Sequence, residues 1–135
     1  MSFYKTYKTN GANETDGIVL DYGDSGKIRI ARAGGSNRKY TEQVRLKLLK
    51  PYERQIANNT MDEEASTRIF AEIYASTIIL GWEGVSDENG KPLAFTRDNV
   101  IKLLTDLPEL FRDIQDAAQK FSNFREAELD EERKN

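Results

Sequence analysis

Two groups of side chains carry the charge density that chemistry would need: the acids of Asp87-Glu88-Asn89-Gly90 and a basic segment between Lys27 and Arg54. Acids and amides at alternate positions can ligate calcium when a glutamate stands at the twelfth place of the loop. Here Asp87, Asn89 and Gly90 lie too close together, and the twelfth place from Asp87 falls on Asp98. The segment therefore reads as a tight turn. In the basic segment, Lys27, Arg29, Arg32, Arg38, Lys39, Arg45, Lys47, Lys50 and Arg54 stand against only Glu42 and Glu53. Such a cluster could neutralise several phosphates. No familiar DNA-reading motif overlies it, however, and Tyr40 and Tyr52 share an apolar stripe, as core residues do and base-stacking platforms do not. Gly34-Gly35-Ser36 lacks the Lys-Ser/Thr ending of a phosphate loop.

The chain contains no cysteine and no histidine. Disulfides, thiolate or imidazole zinc sites, and Cys–His or Ser–His nucleophile pairs are thereby excluded. Acids are plentiful, but none sits in a recognisably apolar setting that would raise a carboxyl pKa for catalysis. We expect no active site, no cofactor and no metal. The net charge of −3 hides an uneven distribution, since nine acids between Asp106 and Glu132 face only Arg112, Lys120 and Arg125. This polarity fits a nucleic-acid face, or oppositely charged ends that meet within or between copies. Helices exposing charge to water would give the same pattern. Attraction between the two halves accounts for both clusters, and nucleic acid is not the expected partner.

With 135 residues, 38% apolar and 32% charged, the chain fits one domain rich in amphipathic helices. The apolar run Ala75–Trp82 is far too short for a membrane span, and the opening residues lack a signal-peptide core; a cytoplasmic protein is expected. Residues 1–16 read as a flexible arm. Residues 17–33 read as a β-hairpin, with Ile18, Leu20 and Tyr22 alternating before Gly23-Asp24-Ser25-Gly26 and Ile28 and Ile30 after it. Residues 36–132 carry the helices. Ser36 or Asn37 can cap the first, whose stripe runs Tyr40, Val44, Leu48, Tyr52, Ile56; Pro51 inside it predicts a kink near Leu49–Lys50. Thr60 and Glu63 form a capping box for a central helix through Leu80 and Gly81. Thr96 caps a short helix, and Pro108 opens a last one with Leu107, Leu110, Ile114, Ala117, Phe121 and Phe124 on a three-four spacing. The acidic tail has little to bury and is expected to fray. The predicted fold is mainly α with a small β-hairpin (α+β), the N-terminal hairpin packed on about four to five helices.

One stretch joins these elements. Trp82 ends the apolar run, Gly84 lets the chain reverse, Asp87–Gly90 turns it, and Pro92 stiffens the return so that Phe95 can fold back. The two aromatics would clamp a loop between helices, either as a folding staple or as part of a binding surface. The order Trp82-Glu83-Gly84-Val85, Asp87, Gly90, Pro92, Phe95 and then a leucine-rich helix resembles the C-terminal half of tail assembly chaperones of long-tailed bacteriophages. The likeness extends loosely to the hairpin, to RAGGSNRKY, to Phe124-Arg125-Glu126 and to the Lys134-Asn135 end. No residue of the motif carries an assignable chemical role.

The resemblance implies a small, mainly helical, non-enzymatic protein that binds the tape-measure protein and keeps it soluble while the tail tube polymerises. It implies self-association, residence in the host cytoplasm, and absence from the finished virion. It also implies a longer form made by programmed frameshifting, through which the tail tube protein would be met; Lys134-Asn135 is compatible with a slippery codon pair. The residues expected at the partner surface are Trp82, Phe95, Leu110, Ile114, Phe121 and Phe124. A structural tail-completion or connector protein is the alternative, and a small nucleic-acid-binding phage protein a more distant one.

Overall fold

Where the apolar residues alternate, the chain is extended, and where they recur every three or four, it coils. The computed structural model describes residues 2–125. Their order is α1 (Phe3–Tyr7), α2 (Gly11–Asp16), β1 (Ile18–Asp21), β2 (Lys27–Ile30), α3 (Arg38–Val44), a π-helical turn (Arg45–Leu49), α4 (Glu53–Ala57), α5 (Glu63–Thr77), β3 (Ile79–Glu83), α6 (Arg97–Asp106), α7 (Pro108–Gln119) and a final 3-10 turn (Phe121–Phe124). The class is mainly α with a small antiparallel sheet, as expected. β1 and β2 form the hairpin in the register Ile18 opposite Ile30 and Leu20 opposite Ile28. Gly23 and Gly26 take the positive φ its turn requires.

A third strand departs from the sequence reading. The central helix does not reach Gly81; it stops at Thr77, and β3 pairs antiparallel with β2. The β-branched pair Ile78-Ile79 favours extension, and the surroundings complete the change. Asn37 Nδ2 donates to the Thr77 carbonyl at 3.1 Å, and the Ala31 amide donates to Ile78 at 2.8 Å. A bulge at Leu80 lets Ile79 and Trp82 lie opposite Ile30 and Ile28, while Leu80 stays exposed. The apolar residues expected to end the central helix are a helix end followed by a strand of the sheet.

The other boundaries follow capping chemistry. Asp62, not Thr60, caps α5, its carboxylate accepting from the Ala65 amide at 3.0 Å. The Thr60 amide instead donates to Gln55. Thr96 caps α6 as expected, accepting from the Asn99 amide at 3.1 Å. Pro108 occupies the first turn of α7. Asn37 stands at the N-cap of α3 as expected, but its side chain makes no capping bond there because it donates to the Arg32 and Thr77 carbonyls, and the Ser36 hydroxyl turns to Glu14. Pro51 ends the first long stripe as expected: the Lys50 amide reaches back five residues to Arg45 and the helix restarts at Glu53. The last stripe is not one helix, since Lys120 is extended and Phe121 and Phe124 belong to the 3-10 turn. The acidic tail and the Lys134-Asn135 end lie outside the described residues.

The core gathers Ile18, Ile28 and Ile30 from the sheet, Ala71, Tyr74 and Ile78 from α5 and its end, Val100, Ile101 and Leu104 from α6, and Phe111, Ile114 and Ala118 from α7. The rings of Tyr40, Tyr74 and Phe111 meet edge to face in a row, at 5.8 and 5.3 Å between centroids. Residues 2–16, expected as a loose arm, form two short helices. The Asn10 amide donates to Phe124, Tyr7 stacks on Phe121, and Glu14 is buried.

Candidate protein-binding surface

Around Trp82 the chain builds a corner. Its indole Nε1 donates to the Leu93 carbonyl at 3.0 Å, and its ring meets Phe95 edge to face at 5.2 Å. The loop between them is closed from inside. Asp87 accepts from the Asn89 and Lys91 amides, each at 2.9 Å, and the Leu93 amide donates to Val85. The Asp87 carboxylate thus serves its own turn, and among the described residues no three acids converge as a metal-binding group. Phe95 remains 42% exposed.

Val85 and Ser86 connect this corner to a second concavity. On one side lies a shallow groove of about 270 Å³ lined by Trp82, Pro92, Leu93 and Phe95. On the other lies a cleft of about 460 Å³ between the hairpin turn and the α6–α7 joint, lined by Tyr22, Ile28, Leu103, Leu107 and Leu110. Leu107 is 46% exposed at the joint. Its position follows from Pro108, which starts a new helix and leaves Leu107 between the two. The Tyr22 hydroxyl donates to Asp113 at 2.5 Å and so ties the hairpin turn to α7. Burial, then the Asp113 carboxylate, push that hydroxyl well above the ordinary phenol range. The cleft wall is an uncharged phenol at every physiological pH.

The structure brings Trp82, Phe95 and Leu110 to this one surface. It does not bring Ile114 and Phe124, which are fully buried in the core and present nothing to a partner. Phe121 lies against Tyr7 of α1 instead, at 5.4 Å. Tyr22, Val85 and Leu103 were not singled out as surface residues. Leucine spacing on α6 marks Leu103 as apolar, but the approach of the hairpin turn that makes a cleft of it spans 91 positions from Tyr22 to Asp113.

The basic segment is partly spent within the fold. Arg29 donates to the carbonyls of Asp16 and Gly17, and Arg45 to Glu42 at 2.6 Å. Arg32 donates to Glu14 at 2.9 Å, and the Ser36 amide and hydroxyl and the Thr9 hydroxyl also approach that carboxylate. Burial raises the Glu14 pKa, but the bonds from Thr9, Ser36 and Arg32 outweigh it and hold the group below its ordinary value. Gly35 adopts a φ of 55° beside it, and a Cβ there would collide with the carboxylate. Tyr40 packs on Tyr74 in the core, as its stripe implied.

No helix among the described residues is long and apolar enough to cross a membrane. Residues 35–135 match the family described as YdaY prophage protein, a span that takes in α3 to α7 and the whole Trp82–Phe95 loop. No curated protein and no solved structure matches the chain.

Proposed function

Since the chain belongs to the YdaY prophage protein family, and is therefore phage-derived, we propose that it is a tail assembly chaperone, a non-enzymatic protein that holds a tape-measure protein in soluble form while the tail tube assembles. The observation that carries this reading is the pair of connected apolar concavities around Val85. Their walls come from four elements locked together by core packing, so the surface is formed before any partner arrives. A tape-measure chain is long, helical and amphipathic, and such a helix lays its apolar face into a groove of this kind. Tyr22, Leu103, Leu107 and Leu110 would take its apolar side chains, and Trp82 and Phe95 would extend the contact. Many copies along one client would add weak contacts into a strong one.

The chaperone acts in the host cytoplasm and leaves before the particle is finished. Co-expression with the tape-measure protein of the same phage tests this reading. The expected outcome is a clear rise in soluble tape-measure protein with the native chain and none with Leu107→Asp, whose exposed position tolerates the change. Equal solubility with and without the chain contradicts it. Mass spectrometry of purified particles separates the alternative, because a tail-completion or connector protein would be retained in them.

A further inference from the structure

The two concavities around Val85 share a property that composition does not explain. The chain carries 20 basic residues against 23 acidic ones, so its surface has both signs to draw on. Yet no Lys or Arg lines either concavity, while Asp24 lines the cleft and Glu83 the groove. Two other grooves on the same molecule do take cations into their walls. Lys27 and Arg29 stand in one on the sheet, and Arg45 and Lys50 in one beside α4.

The carboxylates at the cleft divide into those that are spent and those that are not. Asp106 is bound to Lys102 at 2.6 Å, and Glu83 stands opposite Lys27 across the sheet, so these two add little. Asp24 in the hairpin turn and Glu109 in the first turn of α7 are exposed and form no ion pair among the described residues. Asp113 accepts from the Tyr22 hydroxyl, a neutral donor, and not from a cation. Both walls of the cleft therefore keep uncompensated negative charge beside Leu103, Leu107 and Leu110. A helix whose apolar stripe enters the cleft must set its flanking residues next to these groups. Flanking Lys or Arg meet opposite charge there, and flanking Asp or Glu meet like charge.

We propose that the cleft selects a cationic helix: the client segment it takes has an apolar stripe bordered by Lys and Arg, and Asp24, Glu109 and Asp113 turn acidic amphipathic helices away. This rests on the cleft being the client site and adds the sign of the client's charge. The leucines supply the attraction and the carboxylates the discrimination. Flanking Lys and Arg suit the place in a second way, since their aliphatic stems can lie over exposed Leu107 while their charged heads reach the rim.

Calorimetry of the full-length protein with two synthetic helical peptides tests the proposal. The peptides share one leucine stripe and differ only in carrying lysines or glutamates beside it, and circular dichroism confirms that each protein variant folds. The native chain should bind the lysine peptide about tenfold or more tightly than the glutamate peptide at about 50 mM salt, and the gap should narrow at about 500 mM. Asp24→Lys with Glu109→Lys should reverse the preference. Asp16→Lys with Glu53→Lys, the same change of charge at exposed positions on α2 and α4, should leave it in place. Equal affinities for the two peptides, binding of neither, or an unchanged preference after the Asp24 and Glu109 reversals would each overturn the proposal. Its failure is separable from that of the chaperone reading: a native chain that solubilises co-expressed tape-measure protein but ignores flanking charge removes the charge selection alone.

Discussion

Glu14 is a charged group that the fold encloses and then satisfies. Its carboxylate is held by Thr9, Arg32 and Ser36, and Gly35 exists beside it because a side chain there would occupy the same space. Removing the charge while keeping the shape leaves Arg32 facing a neutral amide and disturbs the bonds from Ser36 and Thr9. Glu14→Gln should therefore cost about 1–3 kcal/mol, read by chemical denaturation. The pH dependence has a definite sign. The folded pKa lies below the ordinary glutamate value, so the stability this group contributes is complete above that ordinary value and is lost as pH falls through the folded pKa. Acid titration of the native protein should show this loss, and the Gln variant should show a shallower acid limb. Nothing in the sequence separates Glu14 from the chain's other acids; only the spatial return of RAGGSN over α2 identifies it.

At the scale of elements, the junction between α5 and β3 decides the architecture. Asn37 ties it, donating one amide group to both the Arg32 and Thr77 carbonyls, at 2.9 and 3.1 Å, while only 5% exposed. Asn37→Ala strands both carbonyls and should lower stability by about 1–3 kcal/mol, with a matching fall in thermal midpoint. An unchanged midpoint would show that the helix stops at Thr77 for local reasons alone. This junction also marks where the sequence stops being legible. The hairpin, the break at Pro51 and the caps at Thr96 and Pro108 are local signals, readable within a few residues. The third strand is not, because Ile78-Ile79-Leu80 satisfies helical and extended spacing alike and β2 supplies the deciding partner. The last stripe misleads for a related reason: its three-four spacing continues through Phe121 and Phe124, but the backbone opens at Lys120 and turns Phe124 into the core. Of the residues expected at a partner surface, Trp82, Phe95 and Leu110 line the two concavities and Ile114 does not. Ile114 was indistinguishable from them, since apolar spacing marks a buried face without saying whether it is buried by its own chain or another.

As a whole molecule, the protein is a small helical body whose sheet closes one side of a single core, with an apolar corner at the Trp82–Phe95 loop that runs into the cleft at the α6–α7 joint. The Asp87 carboxylate closes a turn and Asp62 caps a helix, while Arg29 and Arg32 hold the arm and the hairpin together. Trp82, the sole tryptophan, sits at the edge of the proposed client surface and reports on it directly. The most direct test of the central claim is a titration of purified tape-measure segments into the full chain, followed by Trp82 fluorescence and by calorimetry. Saturable binding is expected, weakened about tenfold or more in a folded Leu107→Asp variant. An absence of binding by the native chain, or equal binding by that variant, would contradict it.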